Sequence, residues 1–155
     1  MRRVITVVLI VALTGLACNR PATSAATGGT EMSRAVIDPY LEIGTALAAD
    51  RMDGVTANAG EIATAASALG ALALTIDTAA VQLTAAADLA DARARFGVLS
   101  EAIDAYMTNQ HLTGPDGVRV AVCPMVLKPW LQKDGELRNP YYGSQMLTCG
   151  SFRNN

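Results

Sequence analysis

The apolar residues between positions 34 and 109 recur at steps of three and four. The clearest run consists of Val55, Ala59, Ile62, Ala66 and Leu69, which a helix of 3.6 residues per turn places on one face. Alanine fills many of these positions, while aromatic residues make up only 5% of the chain. Because small side chains let helices approach closely, this pattern favours packed helices over a sheet sandwich.

Three further segments have the same rhythm, so the predicted helices cover roughly residues 37–49, 53–72, 76–87 and 88–109. Asp38 and Pro39 are predicted to begin the first helix, as N-cap and first helical residue, and Asp77 to cap the third. The second and third segments could also form one broken helix, since no proline separates them. We predict an all-α fold over residues 34–152, a small antiparallel bundle of about four helices with little room for an internal ligand.

The composition changes after His111, where Gly114-Pro115-Asp116-Gly117 forms a turn cluster. Residues 118–122 alternate in a way that is compatible with one short strand. The tail that follows is dense in Cys, Met, Pro and aromatic residues as far as Cys149. It predicts a turn-rich C-terminal cap on the bundle, anchored by Trp130, the only tryptophan.

The N-terminus has the pattern of an export signal. Two arginines precede an apolar run from Val4 to Leu13, which is short for a membrane span but suits a signal peptide. Small residues then lead to Cys18, as a lipoprotein signal peptidase requires. We therefore predict a signal peptide at 1–17, lipidation of Cys18 and a flexible tether at 18–33. Ordinary secretion and a retained anchor are the alternatives; the predicted location is the periplasmic face of the envelope, with the anchor in the outer membrane.

The charge pattern excludes some functions. Removing Arg2 and Arg3 with the leader lowers the basic count from 12 to 10, against 14 acidic residues. No basic stripe occurs, so nucleic acid is not an expected partner. The single histidine, His111, follows a predicted helix end, and the scattered carboxylates are explained by solvated helix faces. The sequence offers no evident set of a nucleophile and a general base, so we predict that the chain is not an enzyme.

The cap contains four sulfur residues with two interpretations. Cys123 and Met125 are two positions apart, and Met146 and Cys149 are three apart. If the two segments meet, their thiolates and thioethers form a soft ligand set for Cu(I) or Ag(I). In an exported protein Cys123 and Cys149 also suit a disulfide, which would close a loop of about 25 residues and stabilise the fold by roughly 3 kcal/mol. The two interpretations compete, because oxidised cysteines cannot ligate as thiolates.

Several blocks of the tail resemble a known domain. They are Cys123-Pro124-Met125, Trp130-Leu131, Arg138-Asn139-Pro140-Tyr141-Tyr142-Gly143 and Met146-Leu147-Thr148-Cys149-Gly150. Together they are similar to an uncharacterised bacterial envelope domain that occurs alone in small lipoproteins. The same domain is appended to periplasmic adaptor subunits of copper- and silver-type efflux systems. The resemblance covers roughly residues 38–152.

This resemblance implies a helical bundle with a Cys-Pro-Met cap, a link to heavy-metal efflux and an efflux adaptor subunit as partner. By matching position, it names Cys123, Met125, Met146 and Cys149 as candidate metal ligands. The leading hypothesis is a non-enzymatic periplasmic lipoprotein domain for copper-type metal homeostasis, binding Cu(I) or Ag(I). The alternative is a structural or protein-interaction module that is stapled by a Cys123–Cys149 disulfide and holds no metal.

Overall fold

A computed structural model describes residues 30–154, which form four α-helices followed by a small antiparallel sheet. The helices are α1 (Arg34–Ala48), α2 (Val55–Leu69), α3 (Leu74–Thr84) and α4 (Leu89–Asn109). The strands are β1 (Val118–Cys123), β2 (Lys128–Lys133) and β3 (Ser151–Phe152), in the order β2-β1-β3. The predicted helices and the predicted strand at 118–122 are confirmed. The fold is mostly helical, as predicted, and the cap contains three short antiparallel strands where the sequence indicated one.

Neighbouring helices run in opposite directions. Arg34 and Asp38 of the first half of α1 line one groove with Thr64 and Ala68 of the second half of α2. Residues 74–82 of α3 line another groove with residues 98–105 of α4, well beyond the turn that joins the two helices. The connections between these helices are short, so neighbouring helices pack their apolar faces together, as the spacing of apolar residues predicts.

Helix starts were predicted less well than helix faces. Helix α1 begins at Arg34, so Asp38 is not its N-cap and Pro39 lies inside the helix. Val36 and Ile37 are fully buried, and burying them favours a helical first turn ahead of the proline. Pro39, the sixth residue of α1, lacks the N–H that would donate to the carbonyl four residues earlier, and burial of Val36 and Ile37 offsets this loss.

The second and third helices are separate. The chain leaves α2 at Gly70, whose φ of 86° suits a residue without a Cβ, and makes one 3-10 turn over Ala71–Ala73 before α3. Because α3 begins at Leu74, Asp77 lies in its first turn and is not the predicted cap. A carboxylate there is still favourable, since the helix N-terminus carries partial positive charge.

An aromatic chain joins the bundle to the cap. The rings of Tyr40 and Phe96 stack with centroids 4.8 Å apart, and Tyr141 lies 6.2 Å from Phe96 and 6.1 Å from Trp130. Trp130 is 1% exposed, as expected for the predicted anchor of the cap. Residues of α2 and α4 that are spaced by three or four positions and are buried in this core are Val55, Ala59, Ile62, Ala66, Ala92, Phe96, Leu99 and Ile103. Bundle and cap therefore share one apolar core.

The outer edge of β2 is closed by two tyrosine hydroxyls. The register with β1 pairs Leu131 with Val120 and leaves the Leu131 N–H pointing away from β1. That N–H donates to Tyr40 Oη at 3.2 Å, and Tyr141 Oη donates to the Pro129 carbonyl. Burial raises the pKa of both tyrosines, so both remain neutral hydroxyls. An edge occupied in this way is a poor template for strand pairing with another chain.

The chain enters the domain at Thr30. The Thr113 N–H donates to the Thr30 carbonyl at 2.8 Å, the Met32 N–H donates to the Thr113 carbonyl at 2.9 Å, and Met32 is 2% exposed. The last residues of the predicted tether therefore belong to the folded domain. The predicted signal peptide, Cys18 and the rest of the tether lie outside the described residues. Within residues 30–154, no helix is long and apolar enough to cross a bilayer.

Candidate functional site

The sheet brings the two cysteine segments of the cap together. Strands β1 and β3 pair antiparallel with Val122 opposite Ser151. Cys123 is the next residue of β1 after this pair, and Cys149 lies two residues before Ser151. Cys123 is fully buried at the end of β1, whereas Cys149 is partly exposed, and both are thiols in the structure. The meeting of the two segments, on which both interpretations of the sulfur residues depend, is therefore present.

A buried amide lies at the centre of this junction. Asn139 Nδ2 donates to Cys123 Sγ at 3.2 Å and to the Cys149 carbonyl at 2.7 Å. Its Oδ1 accepts from the Tyr141 N–H at 2.8 Å, the local bond by which an Asn side chain stabilises a turn. Asn139 is 0% exposed, and it links β1, the segment before β3 and the following turn. Sequence reasoning gave Asn139 no role, although an Asn-Pro pair is a turn signal.

The two methionines of the predicted ligand set lie at different depths. Met125 is in the turn between β1 and β2 and is 59% exposed. Met146 is partly buried, and its carbonyl accepts from the Cys149 N–H at 3.0 Å. Among residues 30–154, no group of three or more His, Cys, Asp or Glu side chains could hold a metal ion. A soft-metal site here would depend on the two thiols and the thioethers.

An arginine clamp fixes the cap to the ends of two helices. Arg93, in the first turns of α4, donates from Nε to the Pro140 carbonyl at 3.0 Å and from Nη2 to the Leu47 carbonyl at 2.8 Å. The same Nη2 lies 2.5 Å from Asp50 Oδ1, and Asp50 Oδ2 accepts from the Ser144 N–H at 3.2 Å. Sequence reasoning missed Arg93 and Asp50, because their partners lie 43 to 94 residues away along the chain.

The clamp perturbs the acid at its centre. Hydrogen bonds from Ser144, and then from Arg93, lower the pKa of Asp50 to about 2. A carboxylate with a lowered pKa stabilises the fold fully above its ordinary value of 3.8, and that contribution is lost as the pH falls towards 2.

We therefore expect the free energy of unfolding to decline between about pH 4 and pH 2 more steeply in the wild-type protein than in Asp50→Asn. Urea titrations over this range measure it. Asp53→Asn, at a carboxylate whose side chain is 79% exposed, is the matched control and should keep the wild-type slope. Equal slopes for wild type and Asp50→Asn would contradict the role given to the clamp.

An open groove of about 770 Å³ lies between α1 and the β2 side of the cap. Leu41 and the 1% exposed Trp130 are among the apolar residues that line it. Both the α1 side and the β2 side carry charges of both signs. The charged residues along the groove are Arg34, Asp38, Glu42, Lys133, Asp134, Glu136 and Arg138. We call this surface the α1–β2 groove; polar and charged residues of this kind are typical of the rim of a protein interface.

The buried polar side chains of the described residues all make hydrogen bonds within the protein. No buried side-chain nitrogen or oxygen in residues 30–154 lacks a hydrogen-bond partner. His111, the only histidine, is exposed just beyond the end of α4, as predicted.

No known family model matches the chain, and no curated protein and no solved structure matches it either. The contacts of the cap are therefore the basis for inferring what the protein does.

Proposed function

We propose that the chain is a non-enzymatic, exported module of the bacterial envelope that binds another envelope protein, with its cap stapled by a Cys123–Cys149 disulfide. One observation carries the proposal: the buried Asn139 amide joins Cys123 Sγ to the Cys149 carbonyl. It supports a structural role for the Cys123 thiol, which lies inside the fold beside the backbone of the partly exposed Cys149. An oxidising compartment favours a disulfide between such neighbours.

The resembling blocks of the tail support the same proposal through their contacts. Asn139 organises the junction, the Pro140 carbonyl accepts from Arg93, and Tyr141 closes the edge of β2. Packing and hydrogen bonding account for each of these residues without a ligand. We therefore interpret the blocks as what the cap needs to fold.

Cu(I) or Ag(I) binding is the second candidate. The adjacency of Cys123 and Cys149 favours it, because two soft thiolates are suited to these ions, and the partly buried Met146 lies in the same segment as Cys149. Two observations weigh against it. Cys123 Sγ is fully buried and already accepts a hydrogen bond, and Met125 is largely exposed.

Lipidation of Cys18 and export to the periplasmic face of the envelope, with an outer-membrane anchor, complete the proposal. They are supported by the sequence of residues 1–18. The tail resemblance supports an adaptor subunit of a heavy-metal efflux system as the partner. We assign docking to the α1–β2 groove, because its mixed charges can be complemented across an interface.

We expect the full-length chain to copurify with the efflux adaptor subunit of the same bacterium when the two are expressed together. Glu42→Lys reverses an exposed charge of the α1–β2 groove and should weaken the association roughly tenfold, measured by titration of the purified pair.

The matched control is Glu61→Lys, an exposed carboxylate of α2 outside this groove, which should bind as the wild type does. Absence of any association would remove the adaptor as partner. Association that is equally strong in both variants would remove the groove as the docking surface.

A further inference from the structure

The corner between α2 and α3 exposes apolar side chains on a segment that contains no ionisable residue. Leu72 and Leu74 are 69% and 62% exposed. From Ile62 to Ile76 the sequence contains no ionisable residue. Exposed residues of this stretch are Thr64, Ser67, Ala68, Gly70, Ala71, Leu72, Leu74 and Thr75. Two exposed leucines, two positions apart in a segment without charge, make this corner a candidate contact surface.

This corner lies at the end of the bundle where the chain enters the domain. Ala68, just before the corner, lines a groove with Arg34 at the start of α1. Four residues before Arg34, the Thr30 carbonyl is bonded to the Thr113 N–H beyond the end of α4. Charges near this end include Glu31 and the Arg34–Asp116 ion pair, and Glu101 lines a groove with Leu74.

We propose that the α2–α3 corner rests on the bilayer that holds the Cys18 anchor, with Leu72 and Leu74 inserted among the lipids. The inference rests on the lipid anchor of the proposed function. Thr30 is twelve positions after Cys18 (30 − 18), and the connecting chain spans at most about 40 Å when fully extended. This reach exceeds the length of α1, about 22 Å, but the tether joins the bundle at this end, which therefore lies on average closer to the lipid than the other end.

The contact is apolar rather than electrostatic. No Lys or Arg occurs between Arg51 and Arg93, so α2 and α3 offer no cation to anionic headgroups. Two leucines alone would bind a bilayer weakly. The anchor makes the contact intramolecular, however, and a weak contact is then populated. Binding of the corner should therefore be insensitive to added salt.

The test uses the acylated full-length chain in vesicles of phosphatidylethanolamine and phosphatidylglycerol, with and without brominated acyl chains. Leu72→Trp places a fluorophore at the corner. Leu127→Trp is the matched control, because Leu127 is 80% exposed in the turn between β1 and β2. The parent protein supplies the emission of the buried Trp130 for subtraction.

We expect brominated lipid to quench at least about half of the emission from position 72, at low and high salt, and to leave position 127 unquenched. Emission from position 72 that is unquenched in the acylated chain would overturn the inference. Emission there that is blue-shifted yet unquenched would also overturn it, because a protein surface would then cover the corner.

Intact mass distinguishes failure of the inference from failure of the anchor. An acylated Cys18 without quenching at position 72 rejects the membrane contact and leaves the anchor in place. A chain with no acyl group on Cys18 rejects the anchor, and the inference fails with it.

Discussion

Gly143→Ala should lower the free energy of unfolding by about 3 kcal/mol or more. Gly143 has a φ of 54°, a left-handed conformation that costs an L residue about 1–2 kcal/mol. A Cβ at this position would lie 2.0 Å from Asp50 Oδ1 and 2.2 Å from Arg93 Nη2. The substitution therefore also forces apart the ion pair that ties the cap to α1 and α4. Urea unfolding followed by far-ultraviolet circular dichroism measures the effect.

Gly117→Ala separates the two causes. Gly117 also has a positive φ, of 72°, but nothing lies within 4 Å of an added Cβ. This variant should lose only the conformational part, about 1–2 kcal/mol. Equal losses in the two variants would show that the clamp around Gly143 contributes little to stability.

Loss of the proposed Cys123–Cys149 disulfide should lower the free energy of unfolding by about 3 kcal/mol, since such a bridge would close a loop of about 25 residues. We expect this loss when protein purified from an oxidising periplasm is treated with a reductant before urea unfolding. Cys149→Ala, which leaves the buried Cys123 in place, should be as unstable as the reduced wild type.

The Cys149→Ala variant, treated with the same reductant, is also the control for this prediction. Reductant should leave the unfolding curve of Cys149→Ala unchanged, because that chain has no bridge to lose. A wild-type curve that reductant does not shift would contradict the stapled cap.

The helical part of the fold could be predicted because its information is local. The spacing of Val55, Ala59 and Ile62 is enough to predict which face of α2 is buried, and the buried residues of α2 lie on that face. The starts of α1 and α3 were wrong because burial of Val36 and Ile37, and the break at Gly70, outweighed the capping preferences of Asp38 and Asp77.

The cap was less predictable because its contacts are long-range. Strand β2 contains Pro129 and does not alternate, and it exists as an edge because hydroxyls of Tyr40 and Tyr141 satisfy its outer groups. The approach of Cys123 to Cys149 follows from the pairing of β1 with β3, a strand of two residues that has no periodicity to read. The roles of Arg93 and Asn139 depend on the same tertiary arrangement.

The stapled cap is tested most directly by the intact mass of the mature protein purified from an oxidising periplasm. The mass is recorded again after reduction and addition of Cu(I) in the presence of a competing chelator. The account predicts a mass lower by two hydrogens before reduction and no retained copper after it. Free thiols at the start, with one copper ion retained against the chelator, would contradict it and favour metal handling by Cys123 and Cys149.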